Sequence, residues 1–252
     1  MAGSRAARIA VLVAEQAARR GAPVGVVDVC TAAVEALPVG GAGISAMSPT
    51  VAGYPLCSTD SISEQVEELQ LTLGEGPCVD AFAGGAAVWT VDLRSDAAQT
   101  RWPVFAPAAV EAGAGAVFAF PLQIGAISPG VLDLYSHVPL LLGAQELDEA
   151  MAFADFATLL LLNTRAAERE GIAAGSETEL GGYRAEIDQA TGMLTVQIGV
   201  GIEEAFIRLR AHAYARGRRL SDVAADVVNR RLRFPPDVDP DATVPEVVGD
   251  EP

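Results

Sequence analysis

The spacing of apolar residues divides the chain into segments of two periods. Residues 5–20 are Ala-rich with a helical texture and a stop at Gly21, and Val24 to Leu37 predicts a second helix ended by Pro38 and Gly40-Gly41. Ile44 to Met47 and the stretch around Tyr54 to Ser58 predict two short strands. Ile62, Val66, Leu69 and Leu73 then fall at helical spacing, with Ser61 as the expected cap and Glu64 closing a capping box. Gly74-Glu75-Gly76-Pro77 ends that helix, and Pro77 suits the first turn of a short following one with Val79 and Phe82. Ala87 to Leu93 alternates like a strand, Trp102 to Ala112 predicts a helix, and Gly115–Gln123 and Ile127–Tyr135 predict two more strands. Gln145 to Arg169 is a long helix with a wide apolar face, including Leu147, Met151, Phe156 and Leu159 to Leu162. Antiparallel strands interleaved with helices predict an α+β sandwich around one central antiparallel sheet. Three short amphipathic stripes follow: Ile187, Ala190, Leu194 and Ile198; then Ile202, Ala205, Phe206, Leu209 and Ala213; then Leu220, Val223, Ala224, Val227 and Val228, with Ser221 as the expected N-cap. They predict a small all-α three-helix module.

One stretch bears on the class of protein. Ala112 to Leu132 carries no charge and exceeds the roughly 18 residues of a membrane span. Pro121, Gly125, Pro129 and Gly130 interrupt it, so it reads as two buried strands joined by a turn, and a cytoplasmic protein without a membrane partner is expected. No N-terminal targeting pattern is visible, because Glu15, Gln16, Arg19 and Arg20 break any apolar run.

Charge changes the picture further. The 252 residues carry a net charge of −16, and every one of the 17 bases is arginine. Residues 183–234 are the exception: nine arginines against six acids, a net of +3. Beyond Phe234 lies a Pro-Asp-Glu-rich stretch with six acids and no base, expected to be a disordered acidic tail. The expected organisation is an N-terminal helix (1–21), a sensory domain (22–165), a connecting helix and linker (166–182), a basic helical module (183–234) and the tail (235–252). Arg216, Arg218 and Arg219 cluster at the second inter-helix turn of the basic module, with Arg210 upstream and Tyr214 between. Guanidinium groups bind phosphates bidentately and stack on unpaired bases, so this island is the place for RNA. The small Ala190 and Gly192 leave room for close approach. Arg230, Arg231 and Arg233 are set aside as partners for the acidic tail.

Other chemistry is scarce. Cys30, Cys57 and Cys78 include no CxxC pair and are expected to be small buried apolar residues, with a redox approach of Cys57 to Cys78 left open. The two histidines form no Ser/His/Asp or Cys/His arrangement, and no P-loop is present. His137 falls in a loop and His212 inside a helix. No enzyme activity, catalytic residue or metal site is expected.

Two resemblances follow from these residues. Leu71-Thr72-Leu73-Gly74-Glu75-Gly76-Pro77-Cys78, with the element order around it, resembles a GAF domain over about residues 22–165. That resemblance implies a small-ligand sensory fold with a pocket beside the sheet, where Ala116, Ala119 and Gly125 would leave space. It leaves the cofactor or ligand unknown. The cyclic-nucleotide signature Asn-Lys-Phe-Asp-Glu is excluded by the absence of lysine. Gln189-Ala190-Thr191-Gly192-Met193-Leu194, Glu204-Ala205-Phe206 with Leu209-Arg210, and Arg218-Arg219-Leu220 with Val223-Ala224 resemble an ANTAR domain over 184–232. That resemblance implies a transcription antitermination regulator whose basic module binds a hairpin leader RNA and so acts indirectly on RNA polymerase. Thr191 stands where many members carry lysine, and Gly201 replaces the usual serine cap of the second helix, a change of a few tenths of a kcal/mol. Homodimerisation through the helix at 145–169 is expected. The alternative is a small-molecule sensor acting through protein–protein contacts, with the C-terminal helices as a dimerisation module.

Overall fold

The computed structural model describes residues 2–48, 53–169 and 179–235. The expected acidic tail and most of the linker lie outside them. Two helices open the chain, α1 (Ala2–Arg20) and α2 (Val26–Ala36), followed by β1 (Gly41–Ala46) and β2 (Tyr54–Ser58). Next come α3 (Ser61–Leu73), α4 (Pro77–Gly84), β3 (Val88–Thr90), α5 (Asp96–Arg101) and α6 (Phe105–Glu111). The sheet is completed by β4 (Ala116–Ile124) and β5 (Ile127–Ser136), and α7 (Ala144–Arg169) closes this domain. The five strands run β2-β1-β5-β4-β3, each antiparallel to its neighbour. The uncharged stretch is indeed the β4–β5 hairpin, turned at Gly125. Among the described residues no helix is long and apolar enough to cross a membrane.

The two faces of the sheet bury different company, as alternation along each strand requires. Ala42, Ile44, Phe118, Phe120, Leu132 and Leu134 face α1, α2 and α7, joining Ile9, Val13, Val29 and Phe153 in one core. Val117 and Tyr135 face α3, α5 and α6 with Val66, Trp102 and Phe105. Ala119 and Val131 pack on Cys78 and Ala81 of α4. Ala116 and Ala119, three apart on one strand, therefore point to opposite faces, and both are fully buried against side chains. Gly125 lies in the turn. These three residues do not line a shared pocket, which corrects the expectation for them.

Local chemistry corrects two further expectations. The cap of α3 is Asp60, whose carboxylate accepts from the amides of Ile62 (2.7 Å) and Ser63 (2.9 Å), while Ser63 Oγ accepts from the Asp60 amide. The box therefore begins one residue before Ser61, which leaves Glu64 facing outward. The helix predicted from Trp102 starts only at Phe105, as α6, and a separate short helix, α5, capped by Ser95, precedes Trp102. Glu75 explains this start: its carboxylate accepts from the amides of Val104 and Phe105 at 2.9 Å, capping α6 from a distant loop.

The basic module consists of α8 (Glu179–Ile198), α9 (Ile202–Ala215) and α10 (Leu220–Val228). Ile187, Leu194, Leu209, Leu220 and Val223 form its own core. Gly201 caps α9 with no side-chain bond, and Arg219, not Ser221, holds the N-cap position of α10.

Candidate nucleic-acid interface

The α9–α10 turn gathers the arginines singled out above. Gly217, at φ 58°, reverses the chain between Arg216, which caps α9, and Arg218. Arg216, Arg218 and Arg219 are exposed, and Tyr214 is 53% exposed on the preceding turn. Arg218 pairs with Asp226 at 2.8 Å across α10, so its guanidinium is held at the rim of the turn. Arg210, one turn upstream on α9, lies half-buried with its guanidinium carbon 5.5 Å from the centre of the Phe206 ring. Burial lowers the affinity of Arg210 for its proton. His212 lies between, against the ring of Phe234 at 5.0 Å. Burial, and then the charges of Arg216 and Arg218, hold its pKa below the usual histidine value.

Two residues expected beside these are placed elsewhere. Ala190 is fully buried in the three-helix core, so it makes the helices pack closely and presents nothing to a ligand. Thr191 is buried too, its hydroxyl turned back to donate to the Ile187 carbonyl at 2.7 Å. Gly192 is half-buried, with open space where a side chain would be.

The arginine end of the module is also docked on the sheet domain, an arrangement that neither resemblance contained. Arg219 forms an ion pair with Glu64 of α3 at 2.6 Å. The free first-turn amide of Leu220 donates to the Glu68 carboxylate at 2.6 Å. Arg210 Nε donates to the Thr72 carbonyl at 2.7 Å, at the C-terminal end of α3. Glu64, Glu68 and Thr72 share one face of α3 because they are four residues apart. A groove of about 470 Å³ runs along this junction, lined on one side by Glu64, Glu68 and Leu69 and on the other by Tyr214, Arg218 and Arg219. The spacing of Glu64 and Glu68 was visible in the sequence, but nothing there paired them with residues 150 positions away.

Comparison with known proteins separates the two parts of the chain. The family model described as the ANTAR domain matches residues 182–228. No curated protein matches the chain. The N-terminal part is similar to solved GAF domains. Those from the phosphoenolpyruvate-protein phosphotransferases of Acinetobacter and Coxiella burnetii are each 13% identical, with TM-scores of 0.48. They cover 66% and 65% of this chain, and 96% and 98% of their own. The GAF-B domain of DevS from Mycobacterium smegmatis is 16% identical over 56% of this chain and 93% of its own, with a TM-score of 0.41. ANTAR domains are RNA-binding antitermination modules, and the three helices with their arginine-bearing turn, residues 182–228, are an ANTAR domain.

Proposed function

We propose that this protein is a cytoplasmic, non-enzymatic regulator that binds hairpin leader RNA through the α9–α10 turn and so lets transcription continue past a terminator. Arg210, Arg216, Arg218 and Arg219 carry phosphate and base contacts, and Tyr214 supplies a stacking surface. The observation that carries this reading is the cluster of arginines at one end of an ANTAR domain in a chain of net charge −16. The mechanism needs no chemistry: the protein binds one of two competing RNA folds and shifts their equilibrium.

The sheet domain (22–165) is the sensory part of this proposal, and α3 is its link to the RNA-binding module (183–234). Glu64 and Glu68 occupy Arg219 and the first turn of α10, so the RNA face is partly closed while α3 holds it. A signal that shifts α3 releases the arginines. The second copy of the chain joins through α7, where Met151 and Leu159 are 54% and 52% exposed although Ala150, Phe153 and Ala157 on the same helix are buried.

The test is cross-linking of RNA to the protein in its host, followed by binding measurements on the recovered hairpins with wild type and the Arg216→Ala/Arg218→Ala variant. Hairpins that bind wild type and lose affinity for a folded variant support the proposal. Recovery of no structured RNA, with a folded protein that pulls down other proteins, overturns it in favour of an interaction module. Light scattering at micromolar concentration tests the dimer, and a monomer refutes it.

A further inference from the structure

The sheet domain buries two carboxyl groups and a thiol at one point. Glu67 of α3, Cys78 of α4 and Asp133 of β5 are all buried, and their ligand-type atoms lie within 4.8 Å of one another. Asp133 stands on the α3–α4 face of the sheet between Gly43 and Ala119, its register partners on β1 and β4. These small neighbours leave space around the carboxylate. The backbone is shaped for Glu67 as well: a Cβ at residue 43 would meet Glu67 Cγ at 2.7 Å and Oε1 at 2.8 Å, so only glycine lets this side chain lie across β1. Gly76, at φ 130°, likewise makes way for Gln70, where a Cβ would meet Oε1 at 2.8 Å.

The cluster lacks compensation. Glu67 accepts a hydrogen bond from Ser45 Oγ. Asp133, only 3% exposed, has no hydrogen-bond partner from outside the cluster: the polar groups that face its oxygens are Glu67, Cys78 and Gln70 themselves. Gln70 is fully buried, and its Oε1 accepts the Cys78 amide at 2.7 Å. That bond fixes the amide orientation and turns Nε2 toward Asp133, with no other acceptor beside it. No arginine takes part in any of these contacts. Ionised carboxylates in such a place are costly without a cation. Burial accordingly pushes the Glu67 carboxyl and the Cys78 thiol up, and the Asp133 carboxyl up to about 6.

We propose that Glu67, Cys78 and Asp133 form a site for a divalent first-row transition ion of the zinc type. The donor set selects the ion: a thiolate excludes magnesium and calcium, and two carboxylates with one thiolate suit a borderline ion such as Zn²⁺. Ligand atoms within 4.8 Å of one another are close to the spacing that a shared zinc at roughly 2.0–2.3 Å requires. Binding displaces the protons held by the thiol and carboxyls to solvent and forms three metal–ligand bonds. Gln70 Nε2 then orients the outer oxygen of Asp133, a supporting bond that metal carboxylates commonly have. Three protein ligands leave a fourth position for water or a small molecule, so the ion would lie on the helix that contacts Arg219 and Leu220.

The test uses the untagged, full-length protein, made metal-free under reducing conditions and titrated with Co²⁺. The expected result is one ion retained per chain after gel filtration, a near-ultraviolet thiolate-to-cobalt charge-transfer band, and a raised melting temperature that a chelator reverses. Cys78→Ser abolishes the band, Cys30→Ser keeps it, and Asp133→Asn weakens retention at least tenfold. Because Asp133→Asn can disturb folding, circular dichroism and Gln70→Ala, which leaves all three ligands in place, accompany it. Gln70→Ala weakens retention less than Asp133→Asn. Wild type that retains no ion refutes the site and leaves protons as the only compensation. A band that survives Cys78→Ser, or equal retention by folded Asp133→Asn, assigns the ion elsewhere and refutes it too.

Discussion

Removing the two α3 carboxylates that hold the RNA-binding turn should tighten RNA binding. In the Glu64→Ala/Glu68→Ala variant, the Arg219–Glu64 pair is lost. Its side chains are 53% and 46% exposed, so it contributes about 0.2–1 kcal/mol. The Glu68 bond to the Leu220 amide satisfies an unpaired donor at a helix start and complements the dipole there, worth about 0.5–1.5 kcal/mol. Together the two contacts hold the turn by about 0.7–2.5 kcal/mol, a factor of roughly 3–70 in the closed-to-open ratio. Apparent affinity is the intrinsic affinity scaled by the open fraction. The variant should therefore bind a recovered hairpin up to about 3–70-fold more tightly by fluorescence anisotropy. Deleting two negative charges near a polyanion also helps without any opening, so a second readout is needed. Amide exchange at Leu220 provides it, because the amide is held by Glu68 in wild type and freed in the variant. Unchanged hairpin affinity, or tighter binding with no faster exchange at Leu220, would refute the closing role of α3.

Other outcomes follow from the same contacts. Arg210, Arg218 and Arg219 as three phosphate contacts imply a log–log salt slope of roughly −2 to −3 per subunit, and Arg218→Ala should weaken binding by about 1–3 kcal/mol with an unchanged circular dichroism spectrum. His212 binds its proton less readily folded than unfolded. The unfolded chain therefore takes up more protons as pH falls through the ordinary histidine range near 6.5, and module stability falls there with it. His212→Gln should flatten the pH dependence of the urea midpoint between pH 5 and 7.5, and an unaltered profile would count against it. The Cys30 and Cys57 sulfurs are 2.7 Å apart, so peptide mapping after mild oxidation should yield that disulfide and no Cys57–Cys78 link. Asp28 is almost buried, yet its carboxyl is held below the usual range because paired bonds from Arg20 and one from the Gly25 amide outweigh the cost of burial. Arg20→Ala should lower the urea midpoint, because it leaves the Asp28 carboxylate buried without its paired cation; an unchanged midpoint would count against the pair.

The elements with a clear period were legible, and those made by distant partners were not. The four longer strands and the amphipathic helices follow from alternation and from i, i+3, i+4 spacing, which are properties of adjacent residues. The start of α6 at Phe105 and not at Trp102 is not legible locally, because the Glu75 carboxylate on the amides of Val104 and Phe105 lies some 29 positions away in sequence. Small size alone suggests that Ala116 and Ala119 leave space for a pocket, whereas strand parity puts them on opposite, filled faces. The arginine turn was legible as charge, but size alone misassigned Ala190. On a helix that forms a core, a small residue marks close packing at least as often as it marks a binding surface.

The Gly74 to Cys78 run shows the limit most clearly, because each residue answers to something outside it. Gly74 ends α3 in the left-handed conformation, Glu75 caps α6, Gly76 accommodates Gln70, Pro77 starts α4, and Cys78 enters the acidic cluster. A motif of five residues is in this sense the junction of three helices and a strand. α3 carries Glu67 and Gln70 toward the sheet on one face and Glu64 and Glu68 toward Arg219 and Leu220 on another. Glu67 and Glu68 are consecutive, so a small rotation of α3 that alters one alters the other. The buried cluster of the sheet domain and the α9–α10 turn are thus joined by one helix, α3. Its two faces could not be told apart from the hydrophobic period alone, since the inward face is as polar at Glu67 and Gln70 as the outward one.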